Sequence, residues 1–326
     1  MNTQVIVQQE AKSLLEFIDY YEICKKAEDK SPKTVAWYSA NLKSFHNYLK
    51  SRHLADTLDN IDIKILRQYV LYLLKKNKYQ GHPITPEKQE PLSASSVHGH
   101  VRTLRAFFSW LVAEGISETN PAKDLKPPKV YQKVVSTLTD DEIRAILAVF
   151  MPMNPSNARN QTIFMLMIDT GLRMGELINL KMDDVHMNEG LLKVIGKGKK
   201  ERIVPMGSNA QRALQRYLFR YRPKPFSQGI DNVFLSVMGK QLTDNSVKLI
   251  FSRLAKRSGV ARLHAHLCRH TFAVNYIMNG GDLSSLKEIL GHTTFEMVNH
   301  YLHFTRSQIT AQHRKYSPMD RLHLQK

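Results

Sequence analysis

Residues 191–206 read LLKVIGKGKKERIVPM. Leu191 to Ile195 and Arg202 to Met206 are short apolar-rich runs joined by GKGKKE, a glycine-containing turn, and this pattern predicts two antiparallel strands. Most of what surrounds them has the apolar spacing of helices. The hairpin therefore marks a mainly α chain with one small antiparallel sheet on the flank of its second half.

Upstream, TDDE from Thr139 is a capping-box pattern that starts a helix. A second helix runs through IFMLMI and ends near Gly171. Downstream, helices are predicted around 209–219 and 244–257, and then from His266 to Tyr301, with breaks at Gly280–Gly281 and Gly291. Further upstream the chain is wholly helical in pattern. One amphipathic helix covers 11–27, and a second opens on SPKT, where Ser31 can cap and Pro32 fits the first turn. A third begins at Ile61, and a fourth carries Val97, Val101, Leu104, Phe108 and Leu111 and stops at Gly115. The stretch from Lys75 to Leu92, with Gly81, Pro83, Pro86 and Pro91, reads as a loop. NPAKDLKPPKVYQK, from Asn120, mixes prolines and lysines without apolar periodicity and reads as a linker. The expected division is a helical domain over 1–122, a linker over 123–136 and a second domain over 137–326 with a C-terminal tail.

A chain of 326 residues can bury two cores, and its formal charge of +18 steers it toward polyanions. Both domains carry excess positive charge, which suits two modules gripping one polyanion; a merely solvated basic surface is the plainer alternative. No apolar run is long enough to span a bilayer, and the N-terminus has no signal-peptide core, so no membrane partner is expected. The two cysteines, Cys24 and Cys268, are far apart and lack metal spacing, which fits a reducing cytoplasm.

Four segments place polar residues at helix edges. In TGLRMGELINLKMDDV (170–185), Arg173 sits at a helix start, poorly placed for the helix dipole, with Glu176 one turn on. Either an external anion or a structural salt bridge accounts for it. In the hairpin, GKGKK lacks the spacing of a phosphate-binding Walker loop. A lysine there can reach a phosphate or protonate a leaving oxygen, with Lys197 first in line and Lys199, Lys200 and Arg202 as backbone contacts. In HAHLCRHTFAVNYIM (264–278), His266 and Arg269 share one face and His270 lies next to them. The histidines and Cys268 complete no recognised zinc spacing, so no metal or other cofactor is expected. In LGHTTFEMVNHYLHF (290–304), His292 follows a glycine and precedes Tyr301 by nine positions. A lone tyrosine there is ordinarily core. Taken together, the six groups can clamp a phosphodiester with arginines and histidines, attack phosphorus with Tyr301 and protonate the departing oxygen from Lys197.

Arg173 within TGLR…E, the hairpin Lys197, the pair His266 and Arg269, the LGH histidine His292 and Tyr301 together resemble the tyrosine recombinases, or phage integrase family. The resemblance implies a SAM-like helical core-binding domain followed by a tyrosine-recombinase catalytic domain, clamped around a duplex. It implies metal- and ATP-independent strand cleavage and rejoining through a 3′-phosphotyrosyl intermediate, with Glu176 and His270 in support. Its implied partners are double-stranded DNA with inverted core half-sites, a homo-tetramer on two sites and an accessory or directionality factor. A C-terminal segment that packs into a neighbouring subunit is implied as well. A mobile-element integrase or transposase and an Xer-type dimer resolvase share this chemistry. A type IB topoisomerase uses a similar clamp as a monomer, and a non-catalytic DNA-binding protein would account for the charge alone. In the helical domain, His98, His100, Arg102 and Arg105 are candidate DNA contacts.

Overall fold

The computed structural model describes residues 13–81, 85–130, 136–196, 198, 200–292, 294, 313–314 and 317. By its internal contacts the chain divides into two units, 1–134 and 135–326.

In the first unit, four helices start where polar side chains satisfy the free N–H groups of the first turn. Ser13 caps α1 (Leu14–Ala27), Ser31 caps α2 (Pro32–Ser51), Asp62 caps α3 (Ile63–Lys75) and Ser93 caps α4 (Ala94–Ala113). Their apolar faces meet in an aromatic-rich core. Phe45, Tyr69, Phe107 and Phe108 are fully buried there, and Tyr21 packs edge-on to Phe107 with ring centroids 5.4 Å apart. Ala122 and Leu125 also lie in this core, so the chain packs onto the first unit well past α4.

The stretch read as a loop holds a short antiparallel pair, β1 (Asn77–Lys78) with β2 (Lys88–Pro91). Its strands are too short and too polar to show a two-residue alternation, and cross-strand pairs between Asn77 and Glu87 and between Lys78 and Glu90 support it. The architecture is mainly α with small antiparallel sheets.

In the second unit, Thr139 and Glu142 form the expected capping box of α5 (Asp140–Ala148). Asn154 caps α6 (Pro155–Thr170), which ends at Gly171 with φ +64. The short helix α7 (Met174–Asn179) follows. The hairpin is present as β4 (Leu191–Ile195) and β5 (Glu201–Pro205), and β3 (Val185–His186) adds a third strand on the β4 side. Beyond it come α8 (Ser208–Arg216), a π-helical turn over Tyr217–Tyr221, α9 (Asp244–Ser258), α10 (Ala265–Met278) and α11 (Leu283–Leu290). The apolar side of α10 packs on α6, and α11 lies against β5. These contacts carry the ends of α6 and α11 and the inner face of the hairpin to one place.

Candidate active site

Backbone geometry builds the site first. Gly171 ends α6 and Gly291 ends α11, both with left-handed φ, +64 and +63. A side chain at either is strained by the backbone, and it is crowded as well. A Cβ on Gly171 would lie 2.5 Å from Phe272, and one on Gly291 would lie 3.0 Å from the Arg202 side chain. Each tight helix end leaves carbonyls unused by the helix.

Arg269 takes them up. Only 2% exposed on α10, it donates from Nη1 to the Gly171 carbonyl (2.6 Å) and from Nη2 to the Leu290 carbonyl (2.8 Å). The same Nη2 lies 2.8 Å from Nε2 of His292. A guanidinium only donates, so Nε2 accepts and the imidazole carries its proton on Nδ1. Burial, followed by Arg269, Arg173 and Arg202, pushes His292 down to about 4, and it is neutral at physiological pH. Arg269 thus joins the ends of α6 and α11 and fixes the tautomer of His292.

Glu176 is the second hub. It is 7% exposed in α7 and receives two arginines. Arg173 donates its backbone N–H (2.9 Å) and Nη1 (2.8 Å), while Arg202 donates Nη1 and Nη2, each at 2.8 Å, to the two carboxylate oxygens. Burial pushes the Glu176 carboxyl up, but the Arg202 pair and the Arg173 N–H outweigh it and hold the group below the usual carboxylate range. Arg173 remains partly exposed and reaches the Gly291 carbonyl at 3.4 Å. Two guanidiniums therefore share one carboxylate, which leaves an excess of positive charge where Arg173 opens to solvent.

His266 is exposed on the first turn of α10; partial burial of its ring, then Arg269, lowers its affinity for a proton. His270 is half-buried one turn on. Cys268 is fully buried, and burial pushes its thiol up to about 12, so it is a packed apolar group and not a thiolate ligand. Among the described residues no group of three His, Cys, Asp or Glu side chains could hold a metal ion, and no helix is long and apolar enough to cross a membrane. Lys197, Lys199 and Tyr301 lie outside the described residues.

Two expected DNA contacts point inward. Arg202 is only 12% exposed at its side chain and spends all three nitrogens on Glu176 and the Ile289 carbonyl. Strand alternation accounts for this: Arg202 pairs with the buried Val194 across the hairpin and shares a face with Val204, so it faces the interior. The same two-residue pattern is visible in ERIVPM and was the available signal. His100 is half-buried beside Tyr69, 3.2 Å from its hydroxyl, and burial pushes it down to about 4. It lies three residues after the buried Val97, on the edge of the core stripe of α4. Lys200, Arg102 and Arg105 are exposed and His98 is half-buried; Arg102 stacks on Trp37 at 5.1 Å.

The Phage integrase family is matched over residues 136–308 and its SAM-like domain over residues 13–127. Tyrosine recombinase XerD of Listeria monocytogenes is 32% identical over 294 residues, covering 88% of this chain and 93% of the relative. Tyrosine recombinase XerC of Oceanobacillus iheyensis is 31% identical over 306 residues, covering 93% and 94%. Among solved structures, the Tn1549 transposon integrase in complex with transposon right end DNA superposes with a TM-score of 0.73 at 19% identity, covering 93% and 99% of the two chains. A lambda integrase dimer bound to a COC′ core site does so at 0.67 and 21%, covering 88% and 97%. The chain belongs to the phage integrase family, the tyrosine recombinases, with a SAM-like N-terminal domain and a catalytic domain. Its activity is site-specific DNA recombination by the tyrosine-recombinase mechanism.

Proposed function

We propose that Arg173, Arg269, His266 and His292 bind the non-bridging oxygens of one DNA phosphate, with Tyr301 as nucleophile and Lys197 as general acid. The observation that carries this is the convergence of Arg173, Arg269 and His292 from three chain segments around the carbonyls of Gly171, Leu290 and Gly291. Attack on phosphorus adds negative charge to those oxygens, and preorganised donors, two of them guanidiniums, stabilise that charge more than the ground state. The clamp supplies the charge a divalent ion would otherwise bring. The Tyr301 oxygen loses its proton and bonds to phosphorus, the P–O5′ bond breaks, and Lys197 gives a proton to the leaving 5′ oxygen. One phosphodiester replaces another, so the 5′-hydroxyl can reverse the step on a new partner without ATP. Glu176 holds Arg173 in place, and His270 supports His266 from the same helix. Residues 1–122 and 137–326 act as two DNA-holding domains joined by 123–136, with Lys199, Lys200, His98, Arg102 and Arg105 at backbone or groove. The working assembly is a homo-tetramer on two sites with inverted core half-sites, open to a directionality factor, in the cytoplasm.

The test is a nicked suicide substrate from the genetic surroundings of the chain. Tyr301→Phe abolishes the covalent protein–DNA product and keeps duplex binding; covalent product at the wild-type yield would reject Tyr301 as nucleophile.

The biological role divides between mobile-element integration or excision and dimer resolution. Near full-length similarity to recombinases named XerC and XerD favours the second as an alternative. Conversion of head-to-tail plasmid dimers to monomers at a single candidate site supports resolution, and joining of two element ends supports mobility.

A further inference from the structure

Arg202 is not among the groups that touch the phosphate in this scheme, yet its side chain is more fully engaged than that of Arg173. Its Nη1 and Nη2 pair with both oxygens of Glu176, and its Nε donates to the carbonyl of Ile289 at 2.7 Å. Glu176 in turn holds the guanidinium and backbone N–H of Arg173. Ile289 lies in the last turn of α11, three residues before His292. Arg202 itself belongs to β5, and Gly196, at the end of β4 and just before Lys197, packs onto the same pair; a Cβ there would lie 3.6 Å from both Arg202 and Glu176. One buried side chain therefore ties together the segments that carry Arg173, His292 and the hairpin lysine. A lysine could not do this, because a single ammonium lacks the planar fork that meets a carboxylate and a carbonyl at once.

We infer that Arg202 is a positioning residue for cleavage: through Glu176 and the end of α11 it sets Arg173 against the scissile phosphate. This rests on the phosphate-clamp assignment above. A misplacement of about 1 Å costs roughly 100-fold in rate, and that is the deficit expected for Arg202→Gln and Arg202→Lys in single-turnover cleavage of the bound complex. Duplex binding stays close to wild type, because the side chain does not face solvent. Counting only DNA-bound protein removes any misfolded fraction, and the lysine variant preserves the buried positive charge if the glutamine variant folds poorly.

Slower cleavage alone would also follow from general loosening, so the deciding readout is a substrate whose scissile phosphate is a neutral methylphosphonate. That group is neutral before attack and carries one negative charge fewer in the transition state, so it depends far less on a cationic clamp. The deficit of each Arg202 variant, relative to wild type on the same substrate, should largely disappear there, as should that of Arg173→Ala. If Arg173→Ala recovers and the Arg202 variants stay slow, Arg202 does not act through the clamp and the inference is overturned. If Arg173→Ala itself stays slow, the clamp assignment fails and this inference falls with it. Wild-type cleavage of the ordinary phosphate by both Arg202 variants would also overturn it.

Discussion

Both units of the chain bury an apolar core, and they differ in what else they take out of water. The first buries rings: Tyr21, Phe45, Tyr69, Phe107 and Phe108 meet between long, capped helices, and among the described residues His46 is its one buried side chain of the Asp, Glu, Lys, Arg and His types. The second also buries Arg159, Glu176, Arg269 and His292, and Arg269 and His292 meet where α6 and α11 stop. Taking charge out of water costs several kcal/mol per ion unless hydrogen bonds replace the lost solvent. At Arg269 and Glu176 that replacement comes from carbonyls freed at Gly171 and Leu290, and from paired guanidiniums. The first unit is a scaffold whose stability resides in packing. The second devotes part of its interior to holding cations in one geometry.

Removing the shared carboxylate strains this contrast most. Glu176→Ala leaves two guanidiniums without their common anion, and breaking a buried pair in this way costs about 3–5 kcal/mol. It should lower both the unfolding free energy of the second unit and the rate of cleavage per bound complex. Loss of cleavage with unchanged stability would show that the carboxylate is not part of the interior framework. Phe107→Ala makes the complementary case. Deleting a fully buried ring costs about 3–5 kcal/mol, read by denaturant unfolding, while cleavage in complexes that still form keeps its rate. If that rate fell as far as in Glu176→Ala, the division between packing and chemistry would be wrong.

Acid sharpens the contrast by a smaller amount. His100 in the first unit and His292 in the second are both held down to about 4, against 6.5 for a free imidazole. The unfolded chain then binds more protons than the folded one between those values. Their contribution to stability is complete above 6.5 and is lost as pH falls toward 4. Unfolding followed from about pH 7 to about pH 5 should show declining stability, flattened in a His100→Gln, His292→Gln double variant. An unchanged slope in the double variant would mean that neither ring is buried neutral.

Much of this was legible in the residues because it is local. Ser31, Thr139 and the glycines at 171 and 291 end or start helices through contacts within one turn, and those boundaries hold. Arg173, Arg269 and His292, which the structure brings together, could be picked out by residue type and order. What escaped the sequence reading depends on distant partners. The β1–β2 pair is held by cross-strand contacts in a polar stretch, and β3 is only two residues long. Arg202 and His100 look like surface cations until the strand alternation and the helix stripe around them are followed inward.

The most direct test of the central claim is to trap the covalent complex on a suicide substrate, trim the DNA with nuclease and locate the modified peptide by mass spectrometry. A nucleotide joined through its 3′-phosphate to Tyr301 is the expected result. Attachment to another side chain, or through a 5′-phosphate, would contradict it.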